Sequence, residues 1–153
     1  MLAMAFWLVK TEPDVYSIDD LKRDRSTDWT GVRNYQARNY LREMKIGDHV
    51  LVYHSNAEPP GVVGTAAVLK AAAPDKTQFD PRSEYFDEKS TKEAPRWFCP
   101  EIKFLRKLHR IVPLEELRAE KGLSGLLLLQ KGSRLSVIPV SEKHFTSIVS
   151  LAE

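Results

Sequence analysis

The run HVLVYH, from His49 to His54, constrains this chain more than any other stretch. Its middle residues are apolar without interruption, so a strand built from them shows apolar side chains to both faces of its sheet. Such a strand needs cover on either side, and the rest of the chain must supply it. Val62 to Leu69 (VVGTAAVL) reads as the next strand, with Gly64 marking a bulge or a close backbone approach. Ala5 to Val9 (AFWLV) reads as a buried first strand, ended by Pro13.

The cover comes from short helices. Ser17, followed three residues later by Asp20, resembles a capping box and opens a helix to Arg23 with Ile18 and Leu21 inward. Asn34 reads as the N-cap of a second helix, in which Ala37, Leu41 and Met44 recur at helical spacing and which Gly47-Asp48 ends. Ile102 to Leu108 reads as a strand, Leu114 to Ala119 as a helix opened by Pro113, and Leu126 to Leu129 as a helical turn. Leu135 to Val140 reads as an edge strand, because Pro139 cannot donate to a ladder. A last helix starts at Ser141 and presents Phe145, Ile148 and Val149. Ala73 to Arg96 is polar and proline-broken, a long irregular loop of the kind that is usually functional or mobile. Its Phe79, Tyr85 and Phe86 are too many aromatics for a plain linker. Strands interspersed with short helices predict one α+β domain, residues 1–153, around a curled sheet or small barrel.

Composition narrows the function. An apolar fraction of 42% and a charged fraction of 29% are those of a soluble globular protein. The lone Cys99 excludes an internal disulfide and fits a reducing, cytoplasmic setting. The opening MLAMAFWLVKTEP is too short an apolar run to span a bilayer and lacks a basic start and a cleavage site, so no membrane role is expected. A net charge of +2 and a pI near 8.6 neither demand nor exclude nucleic acid. Clustering matters more: Lys22, Arg23, Arg25, Arg33, Arg38, Arg42 and Lys45 fall close together, and Lys103, Arg106, Lys107, His109 and Arg110 form a second group. Either group read alone is equally a solvated face. Arg38, Arg42 and Lys45 share the outer side of the second helix, where they are expected to hold phosphates.

No Gly-rich phosphate loop and no paired-histidine spacing occurs, so neither cofactor nor metal is expected, and the chain is expected to act as a monomer. His54 and Ser55 are neighbours on a strand and face opposite ways, which excludes a triad; His54 alone fits a structural hydrogen bond. Lys10, Thr11 and Glu12, at a strand end, fit either a strand meeting solvent or a hydrolytic set with Thr11 activated by Lys10. Trp7, Trp29, Tyr53 and Trp97 singly read as core rings. Their company points elsewhere: Trp29 precedes Arg33 and Asn34, and Tyr53 precedes His54, Ser55 and Asn56. Flat rings beside amide, hydroxyl and guanidinium groups suit a planar heterocycle, which needs faces to stack on and edges to bond.

WLVKTEP, DWTGVRNYQARNYL, VYHSN, GVVGTAAV and SRLSVIPV, in that order, resemble EVE-domain proteins from Phe6 to Leu151. The chain resembles a bare EVE domain without the basic N-terminal tail of nuclear relatives. The resemblance implies membership of the PUA-like superfamily beside YTH, SRA and ASCH domains, hence a small curved β-barrel flanked by short helices. It also implies a pocket for a modified base flipped from its strand, with a nucleic acid as partner. Lys10 and Thr11 match the position where YTH readers bond the base with Lys-Ser. Val32, Arg33 and Asn34 match the next wall, Tyr53 to Asn56 lie on the strand beside the pocket, and Arg134 in SRLSV is placed to reach the cavity or a phosphate. YTH readers have a cage tryptophan where this chain has Arg33, so their methyl-adenine preference does not carry over; cytosine-type modifications, methylated or hydroxymethylated, are favoured. Trp7, Trp29 and Glu12 complete the expected pocket, with Asn34, Ser55 and Glu12 reading the base edge and Val32 touching the modification. Two other readings stay open: an ASCH-like amidohydrolase acting on a modified cytidine through Lys10, Thr11 and Glu12, and an interaction module with a vestigial pocket.

Overall fold

The computed structural model describes residues 4–132 and 134–153. Met1, Leu2 and Ala3 of the opening run and Ser133 of SRLSV lie outside the described residues. The strands are β1 (Phe6–Thr11), β2 (Ser26–Asp28), β3 (His49–His54), β4 (Gly61–Pro74), β5 (Phe98–Pro113) and β6 (Val137–Val140). The helices are α1 (Ile18–Asp24), α2 (Tyr35–Glu43), α3 (Leu114–Ala119) and α4 (Glu142–Leu151). All six strands form one sheet in the order β2-β5-β4-β3-β1-β6, with only β1 and β3 running parallel. The register shifts repeatedly between β4 and β5, and each such bulge adds bend and twist. The sheet curls, but β2 and β6 are its two edges and do not pair, so it stays open.

The central strand is covered on both faces, as its sequence requires. Trp7, Val9, Val50 and Val52 pack with Ile18 and Leu21 of α1 and Ala37 and Leu41 of α2. Leu8, Leu51 and Tyr53 point the other way, into Leu117 of α3, Ile148 of α4 and the leucines between them. Fully burying one such aliphatic side chain stabilises the fold by about 1.5–3 kcal/mol. The helix starts are closed as read. Ser17 Oγ accepts from the Asp20 N–H at 3.1 Å while Asp20 Oδ2 accepts from the Ser17 N–H at 2.9 Å. Gly64 serves both expected purposes, lying at a register shift and so close to the Ile18 side chain and the Arg106 carbonyl that a Cβ would collide.

Three boundaries differ from expectation. β4 and β5 extend well beyond the apolar runs that announced them, because pairing with each other carries them past their alternation. The segment expected to be irregular from Ala73 therefore begins as strand, followed by a 3-10 turn at Lys76–Phe79. β2 follows α1 where the sequence shows no strand signal: its Ser-Thr-Asp has no apolar pattern and is a strand only because β5 offers an edge.

Candidate functional site

Beyond the end of β1 the chain turns through Pro13 towards α1, and a cavity of about 500 Å³ opens there. Its walls are the β1 end (Lys10, Thr11, Glu12), the turn (Val15, Tyr16), the stretch from Thr27 to Arg33, and Tyr85 and Ser136. Three rings meet it. Tyr16 and Trp29 stand edge to face, 88° apart at 6.3 Å, and Tyr85 closes another side. Burial, together with the Asp24 carboxylate that accepts the Tyr16 hydroxyl proton at 2.8 Å, pushes that phenol up to about 12, so it stays neutral. The three tryptophans differ in one respect. Trp7 and Trp97 donate their indole N–H to Asp48 (3.0 Å) and Asp87 (2.7 Å), whereas the Trp29 indole has no partner among the described residues.

The wall opposite β1 is fixed by a buried ion pair. Asp75 is fully buried and accepts from the Gly31 N–H (2.9 Å), from Thr77 (2.8 and 2.5 Å) and from Arg33 (3.1 Å). Burial alone would raise its pKa, but those hydrogen bonds outweigh it and hold the carboxyl below its ordinary value. Arg33 has five N–H donors. All are engaged: two on the Tyr85 carbonyl, one each on Val32, Asp75 and Thr77. Arg33 therefore lines the cavity without a donor to offer a ligand. Gly31, at φ +85°, lies so close to Tyr85 that a Cβ would stand 2.8 Å from the ring.

At the β1 end the hydrolytic arrangement does not assemble. Lys10 pairs in register with Tyr53 and Thr11 with His54, so their side chains leave opposite faces of the strand. The Lys10 ammonium lies 5.7 Å from the Tyr53 ring centroid, and burial lowers its pKa. The Thr11 hydroxyl donates to the Tyr16 carbonyl at 2.7 Å, not to a base. Glu12 accepts a long 3.4 Å bond from Asn56 Nδ2 and still lines the cavity.

Several residues expected in the pocket lie outside it. Trp7 is core, tied to buried Asp48, whose pKa is lowered because donors from Lys45, Trp7 and Ala5 outweigh the opposing effect of burial. Tyr53 packs against the α3/α4 side, so Trp29 and Tyr53 do not share one cavity. Asn34 Oδ1 caps α2 by accepting from the Ala37 N–H at 2.9 Å. His54 Nε2 accepts from the Ile18 N–H at 3.1 Å; burial lowers its pKa and keeps it a neutral acceptor. Ser55 donates its N–H to Thr11, Asn56 sits at φ +52°, and Arg134 is exposed; none lines the cavity. The cations expected to hold phosphates are engaged by the protein: Arg38 with the Arg96 carbonyl and the Tyr35 ring, Arg42 over Phe98, and Lys45, which lies past the Met44 C-cap rather than on the face of α2, with Asp48.

Tyr16, Asp28, Thr30, Tyr85 and Ser136 were not singled out from the sequence. Tyr85 had a signal, the excess of aromatics in its loop; the others are ordinary turn and strand-end residues. Among the described residues no three His, Cys, Asp or Glu side chains could hold a metal, and no helix is long and apolar enough to cross a membrane.

Comparison with known proteins bears on the family and the fold. The EVE domain family model matches residues 5–151. Thymocyte nuclear protein 1 of Homo sapiens is 39% identical over 165 residues, covering 96% of this chain and 73% of the relative. A Pseudomonas putida crystal structure is 44% identical with a TM-score of 0.95, covering 97% of this chain and 100% of that one. The crystal structure of human THYN1 protein in complex with 5-methylcytosine containing DNA is 37% identical with a TM-score of 0.92, covering 97% and 98%.

Proposed function

The chain belongs to the EVE domain family, and from that premise we propose that it reads a methylated cytosine in DNA by holding the flipped base in the cavity at the β1 end. The observation that carries the reading is a ring-walled cavity of about 500 Å³ in a fold so close to that of the human protein solved with methylcytosine DNA. That volume is in the range of small-ligand sites, about 300–1,000 Å³. Trp29 and Tyr85 supply stacking surface, and stacking of this kind is worth about 1–3 kcal/mol per base. The unpartnered Trp29 indole N–H is a donor for a base acceptor.

Methyl burial cannot give the selectivity by itself. One buried methyl is worth about 0.8 kcal/mol, roughly a fourfold preference. Edge chemistry must supply the rest, because a buried polar group left without its partner costs about 1–3 kcal/mol. 5-Methylcytosine and thymine carry the same methyl and differ at positions 3 and 4: N3 accepts and the 4-amine donates in one, whereas N3–H donates and the 4-carbonyl accepts in the other. The carboxylates of Asp28 and Glu12 on the cavity wall accept from the amine and repel the carbonyl. Thr11 and Lys10 line the neighbouring wall, and Val32 is the apolar contact for the methyl or hydroxymethyl group.

Duplexes differing at one position, with methylcytosine, hydroxymethylcytosine, cytosine or thymine, test this. Trp29→Ala should weaken the methylcytosine duplex by about 1–3 kcal/mol, and Asp28→Asn should narrow the gap between methylcytosine and thymine. Equal binding of all four duplexes by the unaltered protein would refute the reading.

A further inference from the structure

A second cavity, of about 480 Å³, lies beside the other end of β2 and is lined by Lys22, Arg25, Ser26, Leu69, Lys103 and Phe104. We propose that it is a phosphate-binding groove that holds the DNA backbone next to the base in the first cavity, an inference that rests on the nucleic-acid reading above.

The charge arrangement carries the argument. Three cations converge on one groove, and no carboxylate lines it. None of the three makes a salt bridge or a side-chain hydrogen bond among the described residues, although acids are near in sequence. Those acids are occupied elsewhere. Asp20 and Asp24 hold Arg23, and Glu101 takes the Ser26 hydroxyl at 2.8 Å and Lys70 at 3.6 Å. Like charges gathered without counterions repel, and an anion relieves them. Arg25 adds a second sign: it sits at φ +70°, in the left-handed region that favours glycine, yet keeps a long cationic side chain. Its backbone is pinned there, its N–H donating to Leu21 and its carbonyl accepting from Phe104, both at 2.8 Å. Leu69, 39% exposed, and half-buried Phe104 give the groove an apolar side for a sugar face.

Position supports the link to the first cavity. Ser26 lines the groove while Thr27 and Asp28 line the base cavity. Two residues of strand span about 7 Å, or about two nucleotides at roughly 3.4 Å of axial rise each. On this proposal the phosphates that flank a base in the first cavity lie at Lys22, Arg25 and Lys103. The helix face read from the sequence points to Arg38, Arg42 and Lys45 instead, whose charges the protein itself engages; Lys22, Arg25 and Lys103 belong to the two charge clusters of the sequence.

The test compares the unaltered protein with Lys22→Gln/Lys103→Gln and with Arg42→Gln/Lys45→Gln, leaving the pinned Arg25 in place. Affinity for methylated and unmethylated duplexes of one sequence is measured across a salt series. The first double variant should lower the slope of log affinity against log salt by about 1.8, at roughly 0.9 per lost phosphate contact, on both duplexes, and keep their affinity ratio. An unchanged slope in that variant, or the same loss in Arg42→Gln/Lys45→Gln instead, overturns the groove. Failure of the base reading looks different: the unaltered protein then binds both duplexes equally, whatever the lysine variants do. Thermal unfolding of each variant in the same buffers separates lost contacts from lost fold.

Discussion

The two faces of the β1–β3 pair carry similar chemistry and use it differently. On one face the Lys10 ammonium lies over the ring of Tyr53, which packs under the α3/α4 layer; on the other Thr11 and His54 sit with Tyr16 and Trp29 nearby. Exposure does not separate them, since Tyr53 is 4% exposed and Trp29 7%. Cover does. Tyr53 meets leucines from helices that close over it, while Trp29, itself packed in the core under α1 and α2, also lines the cavity beside Tyr16, Gly31 and Tyr85, where there is room for a ligand. A ring becomes a binding surface where the backbone above it stops short, not where the ring is least buried.

The largest test of that division is Tyr53→Ala. Loss of a core ring of this size should destabilise the fold by about 3–5 kcal/mol, read by chemical denaturation, while the folded fraction keeps its preference for the methylated duplex. Lost preference with unchanged stability would place Tyr53 at the site and break the comparison. Asp75→Asn sharpens it on the cavity side. Removing the charge that Arg33 faces should cost about 1.5–3 kcal/mol, the worth of a hydrogen bond to a charged group. It should also weaken binding, because the Tyr85 wall hangs on Arg33. Stability lost with binding intact would show that Tyr85 is not a working wall.

The smallest effect is a pH dependence at His54. Its pKa in the folded protein is lowered, so the contribution of its neutral form is fully present above the free-imidazole value of 6.5. As pH falls below that value the unfolded chain takes up the proton first, and stability declines until the lowered folded pKa is reached. Denaturation midpoints between about pH 7.5 and 5 should fall in the unaltered protein, and part of that fall should vanish in His54→Asn. Identical pH profiles for the two would remove His54 from the α1 start.

The sequence by itself determined the central strand, its cover on both sides and the helix starts. HVLVYH requires two apolar layers, and Ser17, Asn34 and Ser141 each bond a backbone N–H three residues on. Such signals are local: they depend on periodicity and on a side chain reaching its own backbone. The family strings likewise marked the β1 end and the Trp29 to Arg33 stretch. Only the tertiary structure decided which of the marked residues face the cavity. Asn34 and Arg33 are adjacent, yet one caps a helix and the other gives four of its five donors to residues more than forty positions away. Tyr85 faces the cavity because Gly31 leaves it space, and Lys22, Arg25 and Lys103 meet because β2 pairs with β5. Contacts between distant segments leave no periodic trace in either one, because each is set by where the sheet's register and the buried Asp75 pair bring the chain back on itself.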